Sequence, residues 1–193
     1  KQRARCRGTG RHRIVSPDAD VLEWAVSVRE PWLTSLMTGI THTGGVGATI
    51  VLALIAAVLL MRAGRTGDAT LVGGAVLTGW PVMSLLKNLF GRTRPPEPER
   101  LIVIQTESFP SGHAMMTAIL ATVLAVVVVR TWPRRDRRRI AAFTVLATYS
   151  LVVGLSRIYL AAHWTTDVVA GWICGVAWAL LWVWFLTRVR PAR

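Results

Sequence analysis

The sequence predicts an all-α polytopic membrane helix bundle, and three observations predict it. Residues 44–61, 69–86, 112–129, 140–156 and 168–187 contain no Lys, Arg, Asp or Glu. Each stretch is about 17–20 residues long, near the length that crosses a hydrocarbon core of ~30 Å. Apolar residues fill these stretches on all sides, and a chain of 193 residues has too little interior to hide five such helices in a soluble core. The net charge of +13 is sorted by loop. Arg62 and Arg65 follow the first stretch. Arg130, Arg134, Arg135, Arg137, Arg138 and Arg139 separate the third from the fourth, and Arg188, Arg190 and Arg193 close the chain. If the five spans alternate, these groups share one side, the positive-inside arrangement that assigns them to the cytoplasm. Charge placed this way argues against a nucleic-acid partner and for a bilayer.

Taken in order, residues 1–17 form a basic tail (Lys1, Arg3, Arg5, Arg7, Arg11, Arg13) suited to anionic headgroups. Residues 18–193 are expected to form a single domain. Between 18 and 42, Val21, Leu22, Trp24, Ala25, Val28, Trp32, Leu33, Leu36 and Met37 recur at helical spacing among Asp18, Asp20, Glu23, Arg29 and Glu30. That pattern predicts an interfacial amphipathic helix, or two broken near Pro31. Pro81 should bend the second span, and Lys87 stands just past its end. Residues 91–110 hold Pro95, Pro96, Pro98 and Pro110 and read as an ordered outer loop. Ser111 is the expected N-cap of the third span. In the last span, Trp164, Trp182 and Trp184 suit interface belts, and Trp172 and Trp178 suit packing. Cys6 and Cys174 imply no disulfide framework, and no metal-ligand spacing of Cys and His occurs.

Three motifs fall at the ends of spans that the alternation places together. His163 and Asp167 are four apart, so on a helix they share a face, where the carboxylate can hold one imidazole nitrogen and aim the other. Pro110-Ser111-Gly112-His113 opens a helix whose free amides and dipole favour an anion. Lys87, Arg94 and Arg157 add three cations, and guanidinium pairs phosphate oxygens in a planar fork. Singly, each has a plain reading: a structural hydrogen bond, a helix start, a juxtamembrane snorkelling residue. His12 and His42 match no motif and read as ordinary polar residues.

Together the three blocks match K-x6-R-P, P-S-G-H and S-R-x5-H-x3-D at Lys87, Arg94, Pro95, Pro110, Ser111, Gly112, His113, Ser156, Arg157, His163 and Asp167. In this order and on these loops they resemble the type 2 phosphatidic acid phosphatase (PAP2) superfamily, over about residues 80–185. The resemblance implies a metal-independent, cofactor-free lipid phosphatase. His163, oriented by Asp167, would attack phosphorus and form a phosphohistidine, and His113 would serve as acid and then base. Lys87, Arg94, Ser111, Gly112 and Arg157 would hold the phosphate, and Ser156 would be a structural cap. The implied substrate is a lipid with a terminal phosphate or diphosphate: polyprenyl diphosphate such as undecaprenyl diphosphate, phosphatidylglycerophosphate, phosphatidate or diacylglycerol pyrophosphate. Lack of extra domains resembles bacterial members that recycle the polyprenyl carrier. The active site is expected on the periplasmic or extracellular face of the plasma membrane. The family commonly carries six spans with an amphipathic stretch between the first and second. Here the first has no counterpart within residues 1–193, which leaves the side of the tail open, as it does oligomeric state. The alternative is a lipid-phosphate binding or transport protein with the same pocket and no turnover. Soluble vanadium-dependent haloperoxidases share the pocket, but five apolar spans speak against them.

Overall fold

A computed structural model of the chain describes residues 16–189. It holds α1 (Pro17–Ser27), α2 (Pro31–Thr43), α3 (Val46–Arg62), α4 (Thr66–Phe90), α5 (Gly112–Thr131), α6 (Arg137–Tyr159) and α7 (Thr165–Val189). No strand occurs among the described residues. Nearly all of the basic tail, with Cys6 and His12, lies outside them.

The amphipathic stretch is two helices, parted where Pro31 opens α2, because proline is tolerated in a first turn and not later. Ser16 caps α1, its hydroxyl accepting from the Ala19 amide at 3.3 Å. Helices α4, α5, α6 and α7 are each long and apolar enough to cross a membrane. Helix α3 has 17 residues, about 25 Å of rise, and meets α2 at a 52° bend. The pair makes a fifth span when taken as one bent unit. The second half of the interfacial stretch, α2, thus leads into the first apolar stretch, α3, across a short break at Gly44 and Gly45. Pro81 lies inside α4 without ending it, and Gly91 closes that helix in the left-handed region at φ 54°.

Helix α5 is central, in contact with α3, α4, α6 and α7. Met115, Met116, Ile119 and Val123 of α5 are fully buried against Leu71, Val72 and Val76 of α4. Helix α7 comes close because Gly171 and Gly175, one turn apart, carry no side chain. A Cβ on Gly175 would stand 2.4 Å from the Met115 carbonyl oxygen, and one on Gly171 2.7 Å from that of Ser111. Small residues four apart are a common means of close helix contact in membranes. Large apolar side chains point outward instead, including Leu52, Ile55 and Leu59 of α3 and Ile173, Leu180 and Trp184 of α7. Trp172 and Trp178 pack inward as expected, donating to the Ser150 and Ala75 carbonyls. Trp182 donates to the Thr78 hydroxyl and lies over Gly74.

The bundle has two polar ends. At one, Asp68 at the start of α4 accepts from Arg65 at 2.8 Å and from Arg130 of α5 at 2.5 Å, beside the arginine-rich hairpin. At the other meet the α2–α3 junction, the loop 91–111 and the turn 160–164.

Candidate active site

That second end encloses a cavity of about 410 Å³, whose wall includes Lys87, Arg94, Gly112, His113, Arg157 and His163. Five separate elements supply these six residues, and three motifs far apart in the chain thus meet on one cavity. Val46, Trp80, Met83, Ile102 and Ile104 make the apolar part of the wall.

His163 sits in the turn between α6 and α7, with Asp167 in the first turn of α7. The two do not share a helix face, as spacing alone suggests. The turn, with Ala161 at φ 50°, carries the imidazole over the carboxylate, and Nδ1 lies 3.6 Å from Asp167 Oδ2. That separation exceeds a hydrogen bond, and Nδ1 is buried without a partner. Arg94 Nη1 lies 3.1 Å from Nε2. A guanidinium has no acceptor, so Nε2 must accept and the ring proton belongs on Nδ1, facing Asp167. Burial chiefly, with the charges of Arg94, Arg157 and Lys87 adding to it and Asp167 opposing, pushes the His163 pKa down to about 3. The imidazole is neutral at physiological pH, with its Nε2 lone pair turned into a cationic cavity.

The cations are held by the protein itself. Lys87 is in the last turn of α4, short of the helix end at Phe90, and not beyond the helix as charge alone suggests. Its ammonium donates to the Glu107 carbonyl at 2.5 Å. Arg94 Nε donates to the Thr106 carbonyl at 2.7 Å and Nη1 to that of Ala162 at 2.5 Å. Its Nη2 reaches the Thr106 hydroxyl at 3.1 Å and the Glu107 carbonyl at 3.0 Å. Burial, above all, brings the Arg94 pKa down to about 10, so it stays charged. Arg157 lies inside α6, 2% exposed, and donates from Nη1 to the Thr41 hydroxyl at 2.7 Å. Its Nε has no partner.

Ser111 stands at the N-cap of α5, but its hydroxyl caps nothing. It is buried and unpartnered, while its amide donates to the Asp167 carbonyl at 2.9 Å. Ser156 is no cap either: it lies within α6 and donates to the Val153 carbonyl. His113, in the first turn of α5, lines the cavity close to Gly45, where an added Cβ would lie 3.8 Å from Nε2. His42, at the end of α2, also lines it and is exposed.

Asp167 is fully buried and ringed by donors that no motif indicates. The Ser108 hydroxyl reaches Oδ2 at 2.5 Å, the Trp164 amide at 3.0 Å, and Arg92 Nη1 reaches Oδ1 at 2.5 Å. Thr41, Arg92, Thr106 and Ser108 went unremarked in the sequence because each owes its place to a contact distant in the chain.

Comparison with known proteins agrees with this geometry. Residues 68–191 match the PAP2 superfamily. Phosphatidylglycerophosphatase B of Bacillus subtilis (strain 168) is 31% identical over 163 residues, 84% of this chain and 80% of the relative. Decaprenylphosphoryl-5-phosphoribose phosphatase of Mycobacterium tuberculosis (strain ATCC 25618 / H37Rv) is 27% identical over 149 residues, 75% of each chain. The crystal structure of the first transmembrane PAP2 type phosphatidylglycerolphosphate phosphatase from Bacillus subtilis superposes with a TM-score of 0.82 at 30% identity, covering 91% of this chain and 87% of that one. Aquifex aeolicus LpxE shares the fold at a TM-score of 0.67, with 21% identity over 85% of this chain and 93% of that one. The chain belongs to the PAP2 superfamily and is a multi-pass membrane enzyme, a phosphoric monoester hydrolase.

Proposed function

We propose that this chain removes the terminal phosphate of a membrane lipid by way of a phosphohistidine at His163. One observation carries the reading: the Nε2 lone pair of His163 faces a cavity that Lys87, Arg94, Arg157 and His113 also line. Nε2 attacks phosphorus as the ester P–O bond breaks, and the departing alkoxide takes a proton from His113. Water then gives a proton to His113 and attacks the phosphorus of the phosphohistidine; the P–N bond breaks, releasing inorganic phosphate, freeing the His163 ring and returning His113 to its proton-donating form. Developing charge on the equatorial oxygens falls to Lys87, Arg94, Arg157 and the first amides of α5, beside Ser111 and Gly112. Asp167 faces the Nδ1 proton and stabilises the cationic ring. Arg94 couples binding to attack: the hydrogen bond that Nη1 gives to Nε2 turns to a phosphate oxygen when substrate arrives, the proton staying on Arg94, and the Nε2 lone pair is freed.

Residues 18–193 act as one unit in this reading. The active end faces the outside of the plasma membrane, because the arginine-rich hairpin lies at the other end. Apolar residues on the cavity wall suit a lipid leaving group. The Bacillus subtilis relative favours phosphatidylglycerophosphate as substrate, and the mycobacterial one makes a polyprenyl-linked phosphate the second choice.

Phosphate release from phosphatidylglycerophosphate, phosphatidate, diacylglycerol pyrophosphate and undecaprenyl diphosphate tests this, in detergent and in bilayers. Wild type should release phosphate, fastest from the first, and His163→Ala should bind lipid without turnover. Binding by wild type with no release from any of the four would overturn hydrolysis in favour of a binding or transport role.

A further inference from the structure

We propose that Asp18 and Arg92 are positioning residues for this reaction: a side-chain relay runs from α1 through Arg92 to the carboxylate of Asp167, and so to the ring of His163. It rests on the reading of His163 as the group that attacks phosphorus.

The guanidinium of Arg92 is a fork between two carboxylates that are 149 positions apart in the chain. Its Nη1 donates to Asp167 Oδ1 at 2.5 Å and to the Thr166 hydroxyl at 2.7 Å, and its Nη2 donates to Asp18 Oδ2 at 2.7 Å. Asp18 closes the ring from the other side, accepting the Thr166 amide at 2.9 Å and the Thr166 hydroxyl at 2.6 Å. Thr166 stands in the first turn of α7, where amides lack intrahelical acceptors. A side chain of α1 therefore caps the helix that carries Asp167.

Each oxygen of Asp167 has a separate duty. Oδ2 accepts from Ser108 and Trp164 and faces His163 Nδ1. Oδ1 is held by Arg92. Loss of the fork strips Oδ1 of its charged donor and leaves the buried carboxylate held through Oδ2 alone, by Ser108 and Trp164, so the plane of the carboxylate facing Nδ1 is less firmly set. Burial raises the Asp18 pKa, but the two Thr166 hydrogen bonds and Arg92 outweigh it, so the net shift is downward. Burial lowers that of Arg92, and Asp18 and Asp167 raise it further than that. Asp18 and Arg92 are thus both charged at physiological pH, where His163 is neutral. Arg92 also lies over the Trp164 ring, 5.8 Å from its centroid, and Trp164 donates to the Thr93 carbonyl at 2.9 Å, which fixes the stem of the fork.

The test is steady-state phosphate release by full-length protein with Asp18→Asn, Arg92→Ala, Arg92→Lys, the Asp18→Asn/Arg92→Ala pair and His163→Ala. Arg92→Ala and Asp18→Asn should each lower kcat roughly ten- to a hundredfold with KM within about twofold of wild type. The pair should lose no more than the worse single change, since both act through one relay. Added guanidinium should restore part of kcat in Arg92→Ala and nothing in wild type. Arg92→Lys, which keeps the charge and loses the fork, should fall between and serves where Arg92→Ala does not assemble. Wild-type kcat in Asp18→Asn and Arg92→Lys beside an inactive His163→Ala overturns the relay and leaves the phosphatase reading standing. Multiplying losses in the pair also overturn it. Turnover by His163→Ala overturns both.

Discussion

The buried, neutral imidazole of His163 has a consequence for stability that can be measured apart from catalysis. Its pKa falls from 6.5 to about 3 on folding. As pH drops through 6.5, the unfolded chain takes up a proton at this site and the folded chain does not. Stability is therefore full above about pH 6.5 and is lost as pH falls toward 3, at about 1.4 kcal/mol per pH unit. Between pH 7 and pH 5 this one group costs about 2 kcal/mol, with His163 only 3% exposed and so little screened. For a chain of this size about 2 kcal/mol is worth roughly 4–8 °C in Tm. His163→Gln keeps a polar side chain of similar reach and does not titrate. Thermal unfolding in detergent at the two pH values should show a fall in Tm that is larger in wild type than in His163→Gln by that amount. The difference between the two proteins cancels every other titrating group. Equal falls would mean that the ring gains its proton as easily in the fold as in the unfolded chain. A neutral His163 imidazole held so by burial and by three cations would then be wrong.

Two further outcomes follow from the same geometry. Thr41→Val leaves Arg157 buried with its Nη1 unpaired, a loss of about 1.5–3 kcal/mol for a bond to a charged group; phosphate release should fall at least tenfold, Thr41→Ser should retain most of it, and wild-type rates in Thr41→Val would show that the hydroxyl does not place the guanidinium. Single cysteines at Glu97 and Asp136, in chains whose own cysteines are serine, should react with an impermeant maleimide from opposite sides of the membrane, Glu97 from outside; labelling of both from one side would overturn the alternation of spans.

The apolar stretches were legible because a bilayer forces backbone polar groups into helices of a fixed length, and four of the five stretches sit in helices that pass that test. Their ends were less legible, for one reason seen twice. Lys87 and Arg157 mark where uncharged sequence stops, yet α4 and α6 run on past them, because Glu107 and Thr41 receive the two charges inside the protein. A charge marks the edge of a hydrophobic run, which is not always the edge of a helix. The motif residues could be read because their spacing is local. Arg92, Ser108, Thr41 and Asp18 could not, since nothing in the sequence near Asp18 says that it will meet Thr166, 148 positions away. Spacing also misplaced the relation of His163 to Asp167. The tight turn at Ala161, and not a helix face, brings the pair together.

The division of labour between helices and loop explains how a lipid enzyme keeps so many cations close together. Like charges crowded into one cavity repel, and side chains free to move would turn toward water. Here the loop 91–111 supplies main-chain carbonyls at Thr106 and Glu107, and the turn after α6 supplies that of Ala162, as acceptors for Lys87 and Arg94. Carbonyl dipoles offset the repulsion without adding a negative charge that would compete with phosphate. They also cannot swing away, so the cations are aimed before any substrate binds, which is the condition under which electrostatic stabilisation of a transition state needs no reorganisation. All five N–H groups of Arg94 are engaged, and only one of their acceptors, His163 Nε2, is the atom we propose to attack phosphorus. A phosphate oxygen is the stronger acceptor for that N–H, so the loop that fixes Arg94 also makes exposure of the His163 Nε2 lone pair depend on what enters the cavity.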